Sequence, residues 1–91
     1  MQYKDRKTLK LRKTLGKVFK SVRLENTTVS RNKLEDEYEI GRGYLGRLED
    51  AKFDSKFITL WRTAEIYGIK LSNVIKQIED NLGDDFKLMD E

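Results

Sequence analysis

The sequence predicts an all-α domain built from five short helices. Apolar residues recur at the three- and four-residue spacing of an amphipathic helix over most of the chain, and no useful stretch alternates as a strand does. There is no proline, and the breaks between apolar stripes carry residues that favour helix ends. At 91 residues, the chain has the length of one small domain.

Apolar stripes mark the first and last helices. The first stripe comprises Leu11, Leu15, Val18, Phe19 and Val22, after which "ENTT" interrupts the pattern. The last stripe comprises Leu71, Val74, Ile75, Ile78 and Leu82. We therefore expect a domain over residues 11–82. Residues 1–10 are expected to be a basic arm or the start of the first helix, and residues 83–91 an acidic tail.

The second and third helices are predicted from their ends. Ser30 is expected to cap the second helix, with Val29 and Leu34 packing across the cap as a hydrophobic staple. The third helix is expected at about residues 42–49, after only two or three connecting residues. Two helices joined so tightly must cross steeply, which is the helix-turn-helix arrangement.

The fourth helix is expected to begin after a cap at Asp54 or Ser55 and to end at Gly68. Its apolar stripe comprises Phe57, Leu60, Trp61 and Ala64. Aromatic residues at helical spacing are typical of a core, so we expect Phe57, Trp61 and Tyr67 to be buried rather than to bind a ligand.

The composition argues against an enzyme. The chain has neither cysteine nor histidine, so metal binding and acid–base chemistry would depend on carboxylates alone. The adjacent carboxylates Glu35, Asp36 and Glu37 would point in different directions on a helix. We expect no catalytic site, no metal and no cofactor. Apolar runs reach only two or three residues and no signal peptide is visible, which predicts a cytoplasmic protein without a membrane span.

The charge is unevenly distributed. Residues 1–24 hold nine basic side chains and one acidic one, for a net charge of +8, whereas residues 25–91 carry a net charge of −5. A basic segment of this kind favours a polyanionic partner, although a solvated, lysine-rich face would have the same composition.

The segment "VSRNKLEDEYEIGRGYLGRLEDAKFDSKFITLWRTAEIYGIKLSNVI" resembles the lambda-repressor-like helix-turn-helix family, the Cro/cI-type or XRE family. The resemblance covers residues 29–75 without a gap, about half of the chain. Its most specific pieces are "YLGRLE" and "AEIYGIKLSNVI". Arg23 matches the arginine of the family's first helix if one residue is inserted in "ENTTVS". The resemblance implies that Arg23 and Glu49 form a structural ion pair.

This resemblance implies a sequence-specific, DNA-binding transcriptional regulator, in the first place a repressor, whose third helix reads the major groove. The residues that it implies for contact with double-stranded DNA are Arg31, Arg42, Gly43, Tyr44, Gly46, Arg47 and Lys52. Lys4, Arg6 and Lys7 would add contacts that do not depend on the DNA sequence.

Two features of the third helix require an explanation. Gly43 and Gly46 would each cost about 1 kcal/mol inside a helix. Either they allow the helix backbone to approach the DNA closely, or they relieve crowding against the second helix.

The chain also departs from the family's pattern: Glu35 replaces a small residue, so it must reach outward or find a cation. Glu39 replaces a glycine with positive φ, at a cost of about 1 kcal/mol.

The resemblance also implies a homodimer on palindromic sites. Ile78, Leu82 and Phe86 are predicted to form the dimer contact, unless such residues only cap the core. An alternative function is a protein-interaction module, such as the antitoxin partner of a toxin. In that case the acidic second helix would bind a basic protein instead of DNA.

Overall fold

Five α-helices account for most of the chain in the computed structural model, which describes residues 5–89. They are α1 (Arg6–Asn26), α2 (Arg31–Glu37), α3 (Tyr44–Glu49), α4 (Phe57–Ile66) and α5 (Leu71–Leu82). This part of the chain contains no strand, so the predicted all-α, five-helix fold class is confirmed. None of the helices described has the length and apolar content that crossing a bilayer requires.

α1 begins before its apolar stripe because Asp5 caps it. The Asp5 carboxylate accepts hydrogen bonds from the backbone N–H and the hydroxyl of Thr8, both at 2.9 Å. Of the two interpretations of residues 1–10, the start of the first helix is therefore the right one for residues 6–10. The helix ends at Asn26, within the segment that breaks the helical pattern.

Two of the other helices pack directly on α1. It contacts α3 and α5, while α2 packs on α3 and α4 packs on α5. The buried apolar residues that form the core are Val18, Phe19, Val22, Leu34, Leu45, Leu48, Ala64, Tyr67, Leu71, Val74 and Ile78. α3 has only six residues and could not be stable alone in water, so its position depends on this core.

Gly16 allows α1 and α3 to lie in close contact. A Cβ atom at this position would lie 2.9 Å from the Leu48 carbonyl oxygen and closer still to the Glu49 carbonyl oxygen. Both are backbone atoms that cannot rotate away, so any side chain at Gly16 must push the two helices apart. In the sequence, the glycine lies between Leu15 and Val18 of the apolar stripe, but the periodicity of the stripe does not predict its contact with α3.

The connection between α2 and α3 is longer than predicted. Ser30 caps α2 as expected, since its hydroxyl accepts a backbone hydrogen bond of 3.2 Å in the first turn. Residues 38–43 then separate the two helices. Glu39 turns the chain at φ +55° and Gly43 at φ +82°, and α3 begins only at Tyr44. The earlier start predicted for the third helix is wrong, because a left-handed residue cannot continue a right-handed helix.

α4 lacks the side-chain cap that the sequence predicts. Its N-cap residue is Lys56, which makes no capping hydrogen bond. The Asp54 carboxylate instead accepts a hydrogen bond of 2.8 Å from Arg12 Nε, and the buried Ser55 hydroxyl has no partner. At the other end, Gly68 follows the helix with φ +76°, as expected.

α4 buries only part of the stripe predicted for it. Ala64 is buried, Leu60 packs against the core and Tyr67 is buried as expected, but Phe57 is 62% exposed and Trp61 is 51% exposed. Thr63, which lies outside the predicted stripe, is buried as well. A helix with apolar residues on more than one side has no unique inner face in its sequence. In the structure, the side that packs against the core is the one that carries Leu60, Thr63 and Ala64.

Two of the three residues predicted for dimerisation pack with the core of the single chain. Ile78 is only 4% exposed, and Leu82 packs against the core cluster. Phe86 is partly buried, with its ring centroid 5.8 Å from the Lys10 ammonium group. Ile78 is therefore not available to a second chain, and capping the core is the right interpretation of this residue.

We expect Gly16→Ala to lower the free energy of unfolding by about 1–3 kcal/mol, because the added methyl group overpacks the contact between α1 and α3. Gly41→Ala is the matched control, since a Cβ atom at Gly41 meets no atom within 4 Å. Denaturant unfolding of both variants checks the prediction. Equal stabilities for the two variants would contradict the close contact.

Candidate nucleic-acid interface

The Glu49 carboxylate fixes the C-terminal end of α3. It is fully buried, and it accepts hydrogen bonds from Arg23 Nε at 2.8 Å and Arg23 Nη2 at 3.0 Å, which confirms the predicted ion pair. The Tyr67 hydroxyl donates to the same carboxylate at 2.7 Å, and Arg31 Nη1 lies 3.4 Å from it. One side chain of α3 is thus bonded to α1, to α2 and to the end of α4.

This cluster changes the acidity of two of its members. The hydrogen bond to Glu49 raises the pKa of the Arg23 guanidinium, which therefore stays protonated. Burial raises the pKa of the Tyr67 hydroxyl well above its ordinary value, and the hydrogen bond that it donates to ionised Glu49 raises it further. Both effects favour the protonation states in which the cluster is fully hydrogen-bonded.

Glu35 fixes the N-terminal end of α3. Its side chain is 1% exposed, and its carboxylate oxygens accept hydrogen bonds from the backbone N–H groups of Gly43 and Leu45, both at 2.9 Å. The expectation that Glu35 reaches outward or pairs with a cation is therefore wrong. Its charge is stabilised by the amides and the dipole at the beginning of α3. The sequence showed that Glu35 replaces the small residue that is usual in the family it resembles. It did not show that Glu35 accepts hydrogen bonds from the backbone at the beginning of α3.

The solvent side of α3 carries small and basic residues. Leu45, Leu48 and Glu49 face inward, whereas Arg47 is exposed and Gly46 is partly exposed. Arg42, which stands just before the helix, has 69% of its side chain exposed. Both arginines and Gly46 are therefore accessible around the short helix.

The structure explains the two glycines of this segment, Gly43 and Gly46, in different ways. Gly43 adopts φ +82°, so its first requirement is a left-handed backbone conformation at the N-cap of α3. A Cβ atom at Gly46 would lie 3.7 Å from Arg31 Nη1, which is an ordinary contact. Gly46 therefore relieves no crowding between α2 and α3. The Arg31 guanidinium lies over it, and so reaches from α2 to the surface of α3.

Tyr44 packs against the segment that follows α3. Its ring lies against Phe53 with a centroid distance of 5.2 Å, and its hydroxyl is buried without a hydrogen-bond partner in the structure. This side chain helps to hold the segment after α3 in place. Tyr44 as a whole is half-buried, and its contact with DNA stays a prediction.

Arg42 and Arg47 have only weak contacts within the protein. Arg42 Nη1 lies 3.4 Å from an Asp36 oxygen, and both side chains are about two-thirds exposed. Arg47 Nη1 donates to the Arg42 carbonyl oxygen at 3.3 Å. Exposed pairs of this kind contribute little to stability, so either guanidinium is able to exchange its contact for a ligand.

A second basic surface lies along α1. Lys10, Lys13, Lys17 and Lys20, here called the α1 lysine row, line an open groove of about 630 Å³ together with Arg6. The groove ends at the C-terminal end of α3, where Asp50 is its exposed acidic residue. Lys52 is exposed just beyond α3. Lys17 and Lys20 are part of the surface although the sequence analysis did not single them out.

The residues predicted for sequence-independent contact are only partly accounted for. Arg6 is exposed in the first turn of α1, and Lys7 is partly buried beside it. Lys4 lies outside the described residues.

Comparisons with known proteins add nothing to these structural observations. No family model, no curated protein and no solved structure matches this chain.

The Tyr67–Glu49 hydrogen bond predicts how stability depends on pH. Because the Tyr67 pKa is raised in the folded state, the hydroxyl is protonated there, while an unfolded tyrosine ionises near pH 10. The stability that this bond contributes is therefore complete below about pH 10 and is lost above it.

We expect Tyr67→Phe to lower the free energy of unfolding by about 1.5–3 kcal/mol at neutral pH, because a hydrogen bond to a charged group is lost. Above about pH 10, the difference between the wild type and this variant should shrink by up to about 1.4 kcal/mol per pH unit. Denaturant unfolding of both proteins between neutral pH and about pH 11 checks this. A difference that stays constant with pH would contradict the role of the hydroxyl.

Proposed function

We propose that this protein binds double-stranded DNA with α3 against the major groove and acts as a transcriptional regulator, most simply a repressor. The observation that carries the proposal is the solvent side of α3. Gly43 and Gly46 add no side chains to this side, the Arg31 guanidinium lies over Gly46, and the exposed guanidinium groups of Arg42 and Arg47 flank the helix. Guanidinium groups placed around a short helix in this way are suited to bind phosphates and base edges.

The chemistry of these side chains fits guanine. An arginine can donate two hydrogen bonds, to the O6 and N7 atoms of one guanine, and few other contacts discriminate a base so well. Arg42 and Arg47 would give up only weak surface contacts to do so. Arg31 and Lys52, at the start of α2 and just after α3, are suited to the flanking phosphates.

The acidic residues of α2 weaken the proposal less than the sequence indicates. Glu35 is buried and accepts hydrogen bonds from two backbone N–H groups, so it does not face a ligand. Asp36 lies beside Arg42, which offsets its charge. Glu37 and Glu39 remain exposed at the C-terminal end of α2, whereas Arg31 occupies its N-terminal end.

The α1 lysine row would contribute affinity that does not depend on sequence. Lysines bind phosphates as point charges and release counterions, which makes the binding sensitive to salt. The row continues to the C-terminal end of α3, so one duplex could contact both surfaces. The proposed function is binding rather than catalysis. It also implies that the protein acts in the cytoplasm, as the sequence predicts.

We expect Arg42→Ala and Arg47→Ala each to lose about 1–3 kcal/mol of binding free energy at the preferred site and to relax the preference at one base pair. Sites are first selected from random DNA with the wild-type protein. Binding of each variant is then measured at fixed salt to the selected site, to single-base changes of that site, and to random DNA.

Two further variants separate base reading from phosphate binding. Lys76→Ala removes an exposed cation of α5, paired with Asp80 at 3.6 Å, and should leave binding unchanged. Lys17→Gln should weaken binding to all DNA alike and reduce the log–log salt slope by about 0.9 if it contacts one phosphate. If both arginine variants keep full discrimination, the assignment of base reading is wrong. If the wild type has little affinity for duplex DNA, the DNA proposal fails and the protein-partner interpretation becomes the better one.

Gly46→Ala tests why α3 carries this glycine. Because a methyl group fits beside Arg31, we expect the fold to be kept and the free energy of unfolding to rise by up to about 1 kcal/mol from helix propensity. DNA affinity should nevertheless fall about tenfold, since the methyl group would stand beside the Arg31 guanidinium and keep the α3 backbone from approaching the groove closely. Unfolding and DNA titration on the same sample separate the two effects. Lower stability would favour crowding, and unchanged affinity would exclude close approach of the backbone.

A further inference from the structure

The glycine at the N-cap of α3 and the glycine inside this helix are each covered by an arginine side chain. A Cβ atom at Gly43 would lie 3.0 Å from Arg47 Nη1. A Cβ atom at Gly46 would lie 3.7 Å from Arg31 Nη1 and 3.8 Å from Arg31 Cζ. Both guanidinium groups therefore lie where an ordinary residue would carry its own side chain, and the one over Gly46 comes from another helix, α2.

A buried carboxylate holds the Arg31 guanidinium group in this position. Arg31 Nη1 donates a hydrogen bond of 3.4 Å to Glu49, whose side chain is 0% exposed. Glu49 also accepts shorter hydrogen bonds from Arg23 and Tyr67, so it stays in place when Arg31 binds a ligand. A planar group that is oriented before binding loses little conformational entropy when it binds.

Most of the hydrogen-bonding capacity of Arg31 is left for a ligand. A guanidinium group has five N–H donors, and the contact of Nη1 with Glu49 uses one of them. The Arg31 side chain is 40% exposed, although it is anchored to a fully buried group. It lies over Gly46, the third of the six residues of α3. Arg31 therefore presents free donors above the middle of this helix.

We propose that Arg31 reads a base, preferentially guanine, in the place of the side chain that Gly46 lacks. The inference rests on the proposed function, which sets α3 against the major groove. A group above the middle of a helix in that groove faces the base edges, whereas the phosphates lie on either side of the groove. The free donors of a guanidinium group match the O6 and N7 atoms of guanine.

This role differs from the one that the position of Arg31 in the chain indicates. The start of α2 by itself indicates a phosphate contact, as for Lys52 after α3. A phosphate contact contributes affinity for every sequence alike, whereas a base contact contributes a preference at one base pair. The two roles of Arg31 therefore predict different binding data for the same variant.

Binding of Arg31→Ala to the selected site, to its single-base variants and to random DNA at fixed salt tests the inference. We expect the preference at one base pair to fall at least about fivefold, because a bidentate contact is lost. This base pair should differ from those affected by Arg42→Ala and Arg47→Ala. The matched control is Arg62→Ala, which removes an exposed arginine of α4 and should leave every preference unchanged. Circular dichroism verifies that each variant is folded.

Gly46→Val is a second test, which keeps the Arg31 side chain. The valine side chain would take the place of the guanidinium group over α3, so the same base pair should lose its preference as in Arg31→Ala. The double variant should lose no more preference at this base pair than Arg31→Ala alone, because both substitutions remove one contact.

The outcomes separate this inference from the proposed function. If the wild type selects a site and Arg31→Ala weakens binding to all DNA alike, Arg31 is a phosphate contact and only the inference is overturned. A Gly46→Val variant that keeps the preference lost in Arg31→Ala overturns the place assigned to the guanidinium group. A wild type with little affinity for duplex DNA overturns the proposed function and the role of Arg31 together.

Discussion

The buried carboxylate of Glu49 is the interaction on which the position of α3 depends. It accepts hydrogen bonds from Arg23 of α1 and from the Tyr67 hydroxyl at the end of α4, and Arg31 of α2 lies beside it. Removing one partner of such a buried pair typically costs about 3–5 kcal/mol, because the other charge is left without compensation. The pair therefore forces four segments of the chain into one arrangement, which apolar packing alone would not specify.

With Glu49 at its C-terminal end and Glu35 at its N-terminal end, a helix of only six residues is held at both ends by buried carboxylates. Gly16 lets α1 approach the same helix closely from the inner side. These inner contacts leave Arg42 and Arg47 on the outer side with only weak contacts inside the protein. Both guanidinium groups are therefore able to bind a ligand, which is the physical basis of the proposed DNA contact.

The fold accepts backbone strain in the segments on either side of α3. α2, α3 and α4 end in the same left-handed turn, in which two backbone hydrogen bonds close on the last carbonyl groups. In α4 the residue with the left-handed conformation is Gly68, whereas after α2 it is Glu39 with φ +55° and after α3 it is Ala51 with φ +61°. Each costs about 1 kcal/mol relative to glycine. The polar contacts of α3 offset this cost. The exposed aromatic residues of α4 are a separate unfavourable feature, because apolar surface in contact with water is stabilised only when a partner covers it.

By itself, the sequence determined the features that depend on local spacing. These are the five helices, the Ser30 cap and the turn at Gly68, because each is set by residues within a few positions of one another. The Arg23–Glu49 pair and the positive φ at Glu39 also followed from the sequence, but only through the resemblance of the chain to a family. Only the tertiary structure decided which side of α4 is buried and where Ile78 lies, because an apolar residue at helical spacing fits more than one inner face. It alone decided that Glu35 binds the beginning of α3 and that Gly16 touches its end, since both contacts join residues that are distant in the chain and meet only when the helices pack.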